Sequence, residues 1–396
     1  MTPVKLEFAD CPAFFYAGFT AIDRTAQLPA WQTGWQLVSG QGLTEQSALA
    51  SCLGEAAERM SLWTRGASDP LVSPQDPAIR ELDAGDFLKL SDMQEAEIAD
   101  HHRGLLRAGG GIDWNKISHR RVRCTNLAGE TAEVASLCIL LHEAEAFGIA
   151  GTPIIPISST AGAAIWTDAE TARGKALLEL IERDAATNWW YNRLVPPRVD
   201  CADSFDSNLG QWLARRRRQT HFLKLPTEFP VDVIACLSCE PDGRLPALGL
   251  GADFDVGEAS QAAALEMLKA EISYRYAAEQ IGRSEQSDLG NVPSNYRWAL
   301  SANAVEVPYL AGAPAPLNQS ADNGSATEDA AALFAATKSL GIEVWFADLT
   351  RPEIGLPAAK AISPSLRDGL PHFAPRGYFV EKEMEKAGLN PTEFPI

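Results

Sequence analysis

Ala176-Leu177-Leu178-Glu179-Leu180-Ile181-Glu182-Arg183 is the stretch on which the fold turns. Ala172, Ala176, Leu177, Leu180, Ile181 and Ala185 recur at helical spacing, and Thr167 or Asp168 stands where an N-cap belongs, so a helix is expected over residues 168–192. Within it Glu179 and Glu182 share a face, with Arg183 one turn beyond Glu179. The same Glu-x-x-Glu-Arg pattern occurs earlier as Glu55, Glu58 and Arg59, in a segment expected to be helical over residues 44–64 with Thr44 as its N-cap. Two adjacent carboxylates repel unless a cation lies between them or one keeps its proton. Magnesium takes carboxylate, phosphate and water oxygens, so two such helices face to face could hold magnesium against a triphosphate. One such pattern alone usually marks a solvated helix surface with an intrahelical ion pair. The apolar setting of Glu179 and Glu182, and the small Gly54, Ala56 and Ala57 beside the first pair, weigh against that; on the residues alone both readings stay open.

A third helix is expected over residues 257–280, with Ala262, Leu265, Leu268, Ile272 and Tyr276 on one side. Short β-branched runs read as strand pairs: residues 121–127 with 133–141, 231–238 with 245–250, and 342–347 with 358–362. Helices among antiparallel strand pairs give an α+β class, helices packed on antiparallel or mixed sheets. The expected organisation is one domain over residues 1–396, with an N-terminal segment of residues 1–35 and a core whose two halves can be alike. Residues 284–295 and 310–327 read as surface loops.

With 46% hydrophobic and 22% charged residues the chain has the makings of a sizeable core. Its net charge of -18 speaks against coating nucleic acid and favours a basic peptide or partner. The N-terminus carries charges too early for a secretory signal, and no apolar run is long enough to span a membrane. Seven cysteines without framework spacing point to a reducing cytoplasm.

Ser39-Gly40-Gln41-Gly42-Leu43-Thr44, followed by Ala48 through Arg59, resembles the first ATP-binding motif of the YcaO family of ATP-dependent cyclodehydratases. Ser158-Ser159-Thr160-Ala161-Gly162, through Ala176 to Asp184 and on to Trp189-Trp190, resembles the second. Gly249-Leu250-Gly251-Ala252, with Ala263-Ala264-Leu265 and Ala270-Glu271-Ile272, is similar to the third, and Leu349 to Pro357 resembles a late family segment. The resemblance runs from about residue 35 to the C-terminus. It implies a YcaO-type domain with ATP and Mg2+ as cofactors, in which Glu55, Glu58, Glu179, Glu182 and Glu271 hold magnesium and phosphates. Ser51 is then near the nucleotide, and Arg59 and Arg183 orient carboxylates or touch phosphate. In azoline-forming members a proline-rich C-terminus is implicated in catalysis, which implies Pro391, Pro395 and Ile396 here, with the carboxylate of Ile396 or a glutamate as base. Two departures stand out: Gln41 where the family often has lysine, and Tyr274, expected in the core, where it often has glutamine after the third-motif glutamate.

The implied activity is phosphorylation of backbone amides in a ribosomally made precursor peptide, closing Cys, Ser or Thr side chains into thiazoline or oxazoline rings, as in bacteriocin biosynthesis. Thioamide or amidine formation, or a silent scaffold in a peptide-modifying complex, are the alternatives. The length leaves no segment for a fused leader-binding module, and Gly109-Gly110-Gly111 precedes no periodic helix. The expected partners are therefore a separate leader-peptide-binding protein and a separate flavin-dependent dehydrogenase, in a multiprotein complex compatible with a homodimer. Cys236-x-x-Cys239 lacks a second pair of zinc ligands and reads as structural. Arg215 to Arg218 reads as a solvated helix face, and His101-His102 as an exposed polar loop.

Overall fold

A computed structural model describes residues 1–21, 35–88, 120–143, 158–201, 204–283, 294–314, 330–368, 390 and 394–395. In chain order the elements are β1 (Val4–Leu6), β2 (Phe14–Ala21), β3 (Trp35–Gly42), α1 (Glu45–Leu62), β4 (Ser73–Pro74), β5 (Arg80–Glu81), α2 (Ala84–Leu88), β6 (Arg120–Asn126), β7 (Thr131–Ala135) and β8 (Ala163–Ile165). Next come α3 (Ala169–Tyr191), β9 (Arg198–Val199), α4 (Ser207–Arg215), β10 (Gln219–Leu225), β11 (Asp232–Cys239), β12 (Ala247–Asp253) and α5 (Val256–Arg283). The last are α6 (Ser294–Ser301), α7 (Pro308–Ala311), α8 (Ala330–Leu340), β13 (Trp345–Asp348) and β14 (Ala358–Ile362).

The strands form three sheets: β1-β2-β3, β12-β11-β10-β9, and a seven-stranded sheet ordered β5-β7-β6-β13-β14-β8 with β4 against β6. Every pairing is antiparallel except β5 with β7. The expected α+β class therefore holds. The N-terminal segment is more than a lead-in, because β2 pairs with β3 across the 1–35 boundary and β1 pairs with β2. Of the expected loops, residues 284–293 and 315–327 lie outside the described residues, whereas Leu310 belongs to α7 and Ala313 bridges Pro197.

One strand–helix unit occurs three times: β3 leads into α1, β8 into α3, and β12 into α5. Each helix starts where a side chain can accept from orphan amides. Thr44 and Ser47 form a capping box on α1, Asp168 accepts from Thr171 on α3, and Asp255 accepts from Gly257 and Glu258 on α5. Each helix packs on its own strand, α1 on β3, α3 on β8 and neighbouring β14, α5 on β12. Close approach demands glycine: a Cβ on Gly40 would lie 2.1 Å from the Cys52 nitrogen, and one on Gly249 2.1 Å from that of Met267. That proximity lets a helix side chain reach a strand amide.

The main core surrounds α3, where Trp189 and Trp190 are fully buried against Trp298, Tyr309 and Phe394. Trp189 Nε1 donates to the Tyr309 carbonyl at 2.9 Å, so its burial does not leave that indole donor unpaired. At the far end of α1, buried Arg351 pairs with buried Asp69 at 2.7 Å and donates to the carbonyls of Ser61 and Trp63. It closes the helix terminus that carries Arg59.

Candidate active site

The three units aim one carboxylate each in the same way. Glu55 Oε2 accepts from the Ser39 amide at 3.0 Å, Glu179 Oε2 from the Ala163 amide at 3.1 Å, and Glu266 Oε2 from the Leu250 amide at 2.7 Å. The offset from strand donor to helix acceptor is 16 residues in every case. The other oxygen of each turns toward a cation on its own helix: Arg59 at 3.5 Å, Arg183 at 3.8 Å and Lys269 at 3.8 Å. One oxygen is thus fixed by backbone and the second is presented.

These helices converge on a common wall. The charge of Glu179 acts on Glu58, that of Glu266 on both Glu179 and Glu182, and Arg183 is embraced by Glu182, Glu266, Glu179 and Glu58. Burial, reinforced by Glu179, lifts the Glu58 carboxyl well above the usual range; burial likewise raises Glu179, and pushes Glu182 up to about 8. For Arg183, burial opposes the charge, but the four glutamates outweigh it and raise its pKa. Beside this wall opens a cavity of about 620 Å³, whose lining includes Ser39, Arg59, Ser158 to Ala161, Arg183, Glu266, Lys269 and Ser273, together with His142, Phe394 and Pro395. Arg59 Nε and Ser158 Oγ are buried there without a hydrogen-bond partner among the described residues.

A sequence scan for the YcaO cyclodehydratase family, described as ATP- and Mg2+-binding, matches residues 39–367. The chain belongs to the YcaO family. Among solved structures, this YcaO chain superposes on a heterocyclase in complex with substrate and cofactor (TM-score 0.74, 21% identity, 100% of this chain and 55% of that one). It is also similar to the heterocyclase TruD (0.60, 23%, 90% and 51%) and to YcaO from Methanopyrus kandleri bound with AMPPCP and Mg2+ (0.62, 16%, 92% and 87%). The chain spans about half the length of the first two. No curated protein matches the sequence.

In this YcaO domain Glu55, Glu58, Arg59, Glu179, Glu182 and Arg183 lie close together, and of these Arg59 and Arg183 line the cavity. Glu271 does not join them. Its carboxylate is buried and taken by Arg216 at 2.8 Å, by Arg218 at 3.2 Å and by the Ser238 hydroxyl. Glu266 occupies the third place instead. The same ion pairs correct the reading of the arginine run: Arg215 and Arg217 are exposed, but Arg216 and Arg218 clamp α5 to β10 and β11. Ser51 is exposed, one turn before Glu55 on α1, and is not among the residues lining the cavity. Tyr274 is core, packed on Tyr296, and Cys236 and Cys239 are buried free thiols. Pro395 lines the cavity, while Pro391, Ile396, His101, His102 and residues 109–111 lie outside the described residues.

The donor set fits a hard cation shared with a ligand. Among the described residues no three carboxylate, imidazole or thiol groups close on one coordination point. Magnesium does not require such a cluster, because it keeps waters and phosphate oxygens and takes only one or two carboxylates. Glu182, with Glu179 and Glu58 beside it, would hold the ion, and Arg59 and Arg183 would face the phosphates. This arrangement has a pH signature. In the folded chain Glu182 keeps its proton up to about 8, whereas an ordinary glutamate loses it near 4.5. Between these values the unfolded chain binds fewer protons, so metal-free stability falls as pH rises. Mg2+ held at Glu182 would supply positive charge in the proton's place, so the melting temperature should rise more on adding Mg2+ at about pH 8.5 than at about pH 6. Thermal melts in EDTA and in Mg2+ check this; an Mg2+ effect equal at both pH values would contradict it.

Proposed function

We propose that this chain is an ATP- and Mg2+-dependent cyclodehydratase that activates backbone amides of a precursor peptide, closing Cys, Ser or Thr side chains into thiazoline or oxazoline rings. The observation that carries the reading is the convergence of anchored glutamates from α1, α3 and α5 beside a cavity that also holds Arg59 and Arg183. Bound Mg2+ would neutralise charge on the phosphoryl group passed from ATP to the amide oxygen, which then departs as phosphate. The backbone donors Ser39, Ala163 and Leu250 each hold one carboxylate oxygen in place, and Arg59 and Arg183, which line the cavity, would meet the transferred charge. Phe394 packs on Trp189 and Trp190 and Pro395 lines the cavity, which supports a catalytic role for the C-terminal residues Pro391, Pro395 and Ile396, with the Ile396 carboxylate or a glutamate as base.

Precursor recognition is assigned to a separate leader-peptide-binding protein, and oxidation of azolines to a separate flavin-dependent dehydrogenase. A homodimer within a larger complex accommodates both. In support, the chain is similar over 99% of its length to a chain of the E. coli microcin synthetase McbBCD complex, at TM-score 0.62 and 14% identity. Among the described residues no helix is long and apolar enough to cross a membrane, and all seven cysteines are free, which agrees with a reducing cytoplasm. Co-expression with a candidate Cys- and Ser-rich precursor and the partner proteins, followed by mass spectrometry, tests the reading. Loss of the mass of one water per ring is expected. Exchange of oxygen for sulfur would reassign the product to a thioamide, and an unmodified peptide with intact ATP binding would overturn the cyclodehydratase reading.

A further inference from the structure

The third strand–helix unit keeps the anchored glutamate but changes the residues one turn beyond it. Three and four residues after that glutamate, α1 carries Glu58 and Arg59 and α3 carries Glu182 and Arg183; α5 carries Lys269 and Ala270. A carboxylate is exchanged for an ammonium and a guanidinium for a methyl. Glu266, Lys269, Ala270 and Ser273 form the face of α5 that lines the cavity, at the spacing of one helical stripe. The site is therefore polarised: paired carboxylates on α1 and α3, and on α5 one carboxylate with a cation in place of the second.

Lys269 is not consumed by its neighbour. Its ammonium stands 3.8 Å from Glu266 Oε1, beyond hydrogen-bond length, while Glu266 Oε2 is already held by the Leu250 amide. The side chain is 31% exposed, and Ala270 offers no competing charge. A lysine on a flexible stem serves phosphate as a mobile point charge with three donors. A polyphosphate in this cavity would meet Arg59 and Arg183 from α1 and α3, and Lys269 is the cation that α5 adds to the lining among the described residues.

We propose that Lys269 is a phosphate-contacting residue, its ammonium donating to a non-bridging oxygen of the β- or γ-phosphate of a nucleoside polyphosphate. The inference rests on the ATP reading of the cavity and adds the residue that distinguishes polyphosphate from monophosphate. Titration calorimetry on the full chain with Mg2+, using a non-hydrolysable ATP analogue, ADP and AMP against wild type, Lys269→Met and Lys269→Arg, tests it. Lys269→Met should weaken the ATP analogue by about tenfold or more, leave AMP unchanged, and flatten the salt dependence of analogue binding; Lys269→Arg should stay within about threefold of wild type. Analogue binding by Lys269→Met within about twofold of wild type, or an equal loss for AMP, would overturn the assignment. If the wild-type chain binds none of the three nucleotides, the ATP reading itself fails and takes this inference with it.

Discussion

Glu182→Gln is expected to abolish the ATP-dependent reaction, by about 100-fold or more, while leaving the metal-free protein at least as stable as wild type above about pH 8. The two effects have opposite signs for one reason. Glu182 sits among Glu179, Glu266 and Arg183 in a setting where burial holds its carboxyl up to about 8. Ionising it without a metal is unfavourable to the fold, and glutamine removes that penalty while keeping the shape. The same substitution removes the charge that a magnesium ion requires. Single-turnover product formation and thermal melts in EDTA measure both sides. A variant that is inactive because it is unfolded would contradict the account, as would one that keeps full activity.

Glu266→Gln and Glu271→Gln should separate cleanly although the residues lie five apart on one helix. Loss of the Glu266 charge is expected to weaken binding of a magnesium–ATP analogue by about 100-fold with little change in stability. Loss of the Glu271 charge leaves Arg216 and Arg218 without their buried counter-ion, so it should cost about 3 kcal/mol of stability and leave nucleotide affinity near wild type. Urea unfolding and calorimetry on the two variants check this. Reversed results would restore Glu271 to the site and remove Glu266 from it.

The first two units were legible in the sequence because helical periodicity is a local signal: Glu55, Glu58, Arg59 and Glu179, Glu182, Arg183 share a face whatever surrounds them. The third was not, because Lys269-Ala270 erases the Glu-Arg signature after Glu266 and leaves a lone glutamate among several on α5. Glu271 drew the reading by its place next to the motif. Five residues turn a helix by about 140° beyond a full turn, which points Glu271 at β10 and β11 instead of the cavity. The amides that fix the glutamates carry no side-chain signal at all; only the repeated 16-residue offset, set by strand length and turn, marks them once the fold is known. Strand β1 spans three residues and β2 reads Phe-Phe-Tyr-Ala-Gly-Phe-Thr-Ala without alternation, so the N-terminal sheet had no period to announce it. Arg216 and Arg218 were hidden for a different reason, since their partner Glu271 is more than fifty residues away in sequence.

Crystals grown with Mn2+ in place of Mg2+ and a non-hydrolysable ATP analogue would test the central claim most directly, through anomalous scattering that locates the metal. Metal is expected between the carboxylates of α1 and α3, with phosphate oxygens in its shell and Glu271 still bound to Arg216. Metal and nucleotide lodged elsewhere on the chain, with Glu58, Glu179 and Glu182 uncoordinated, would contradict it.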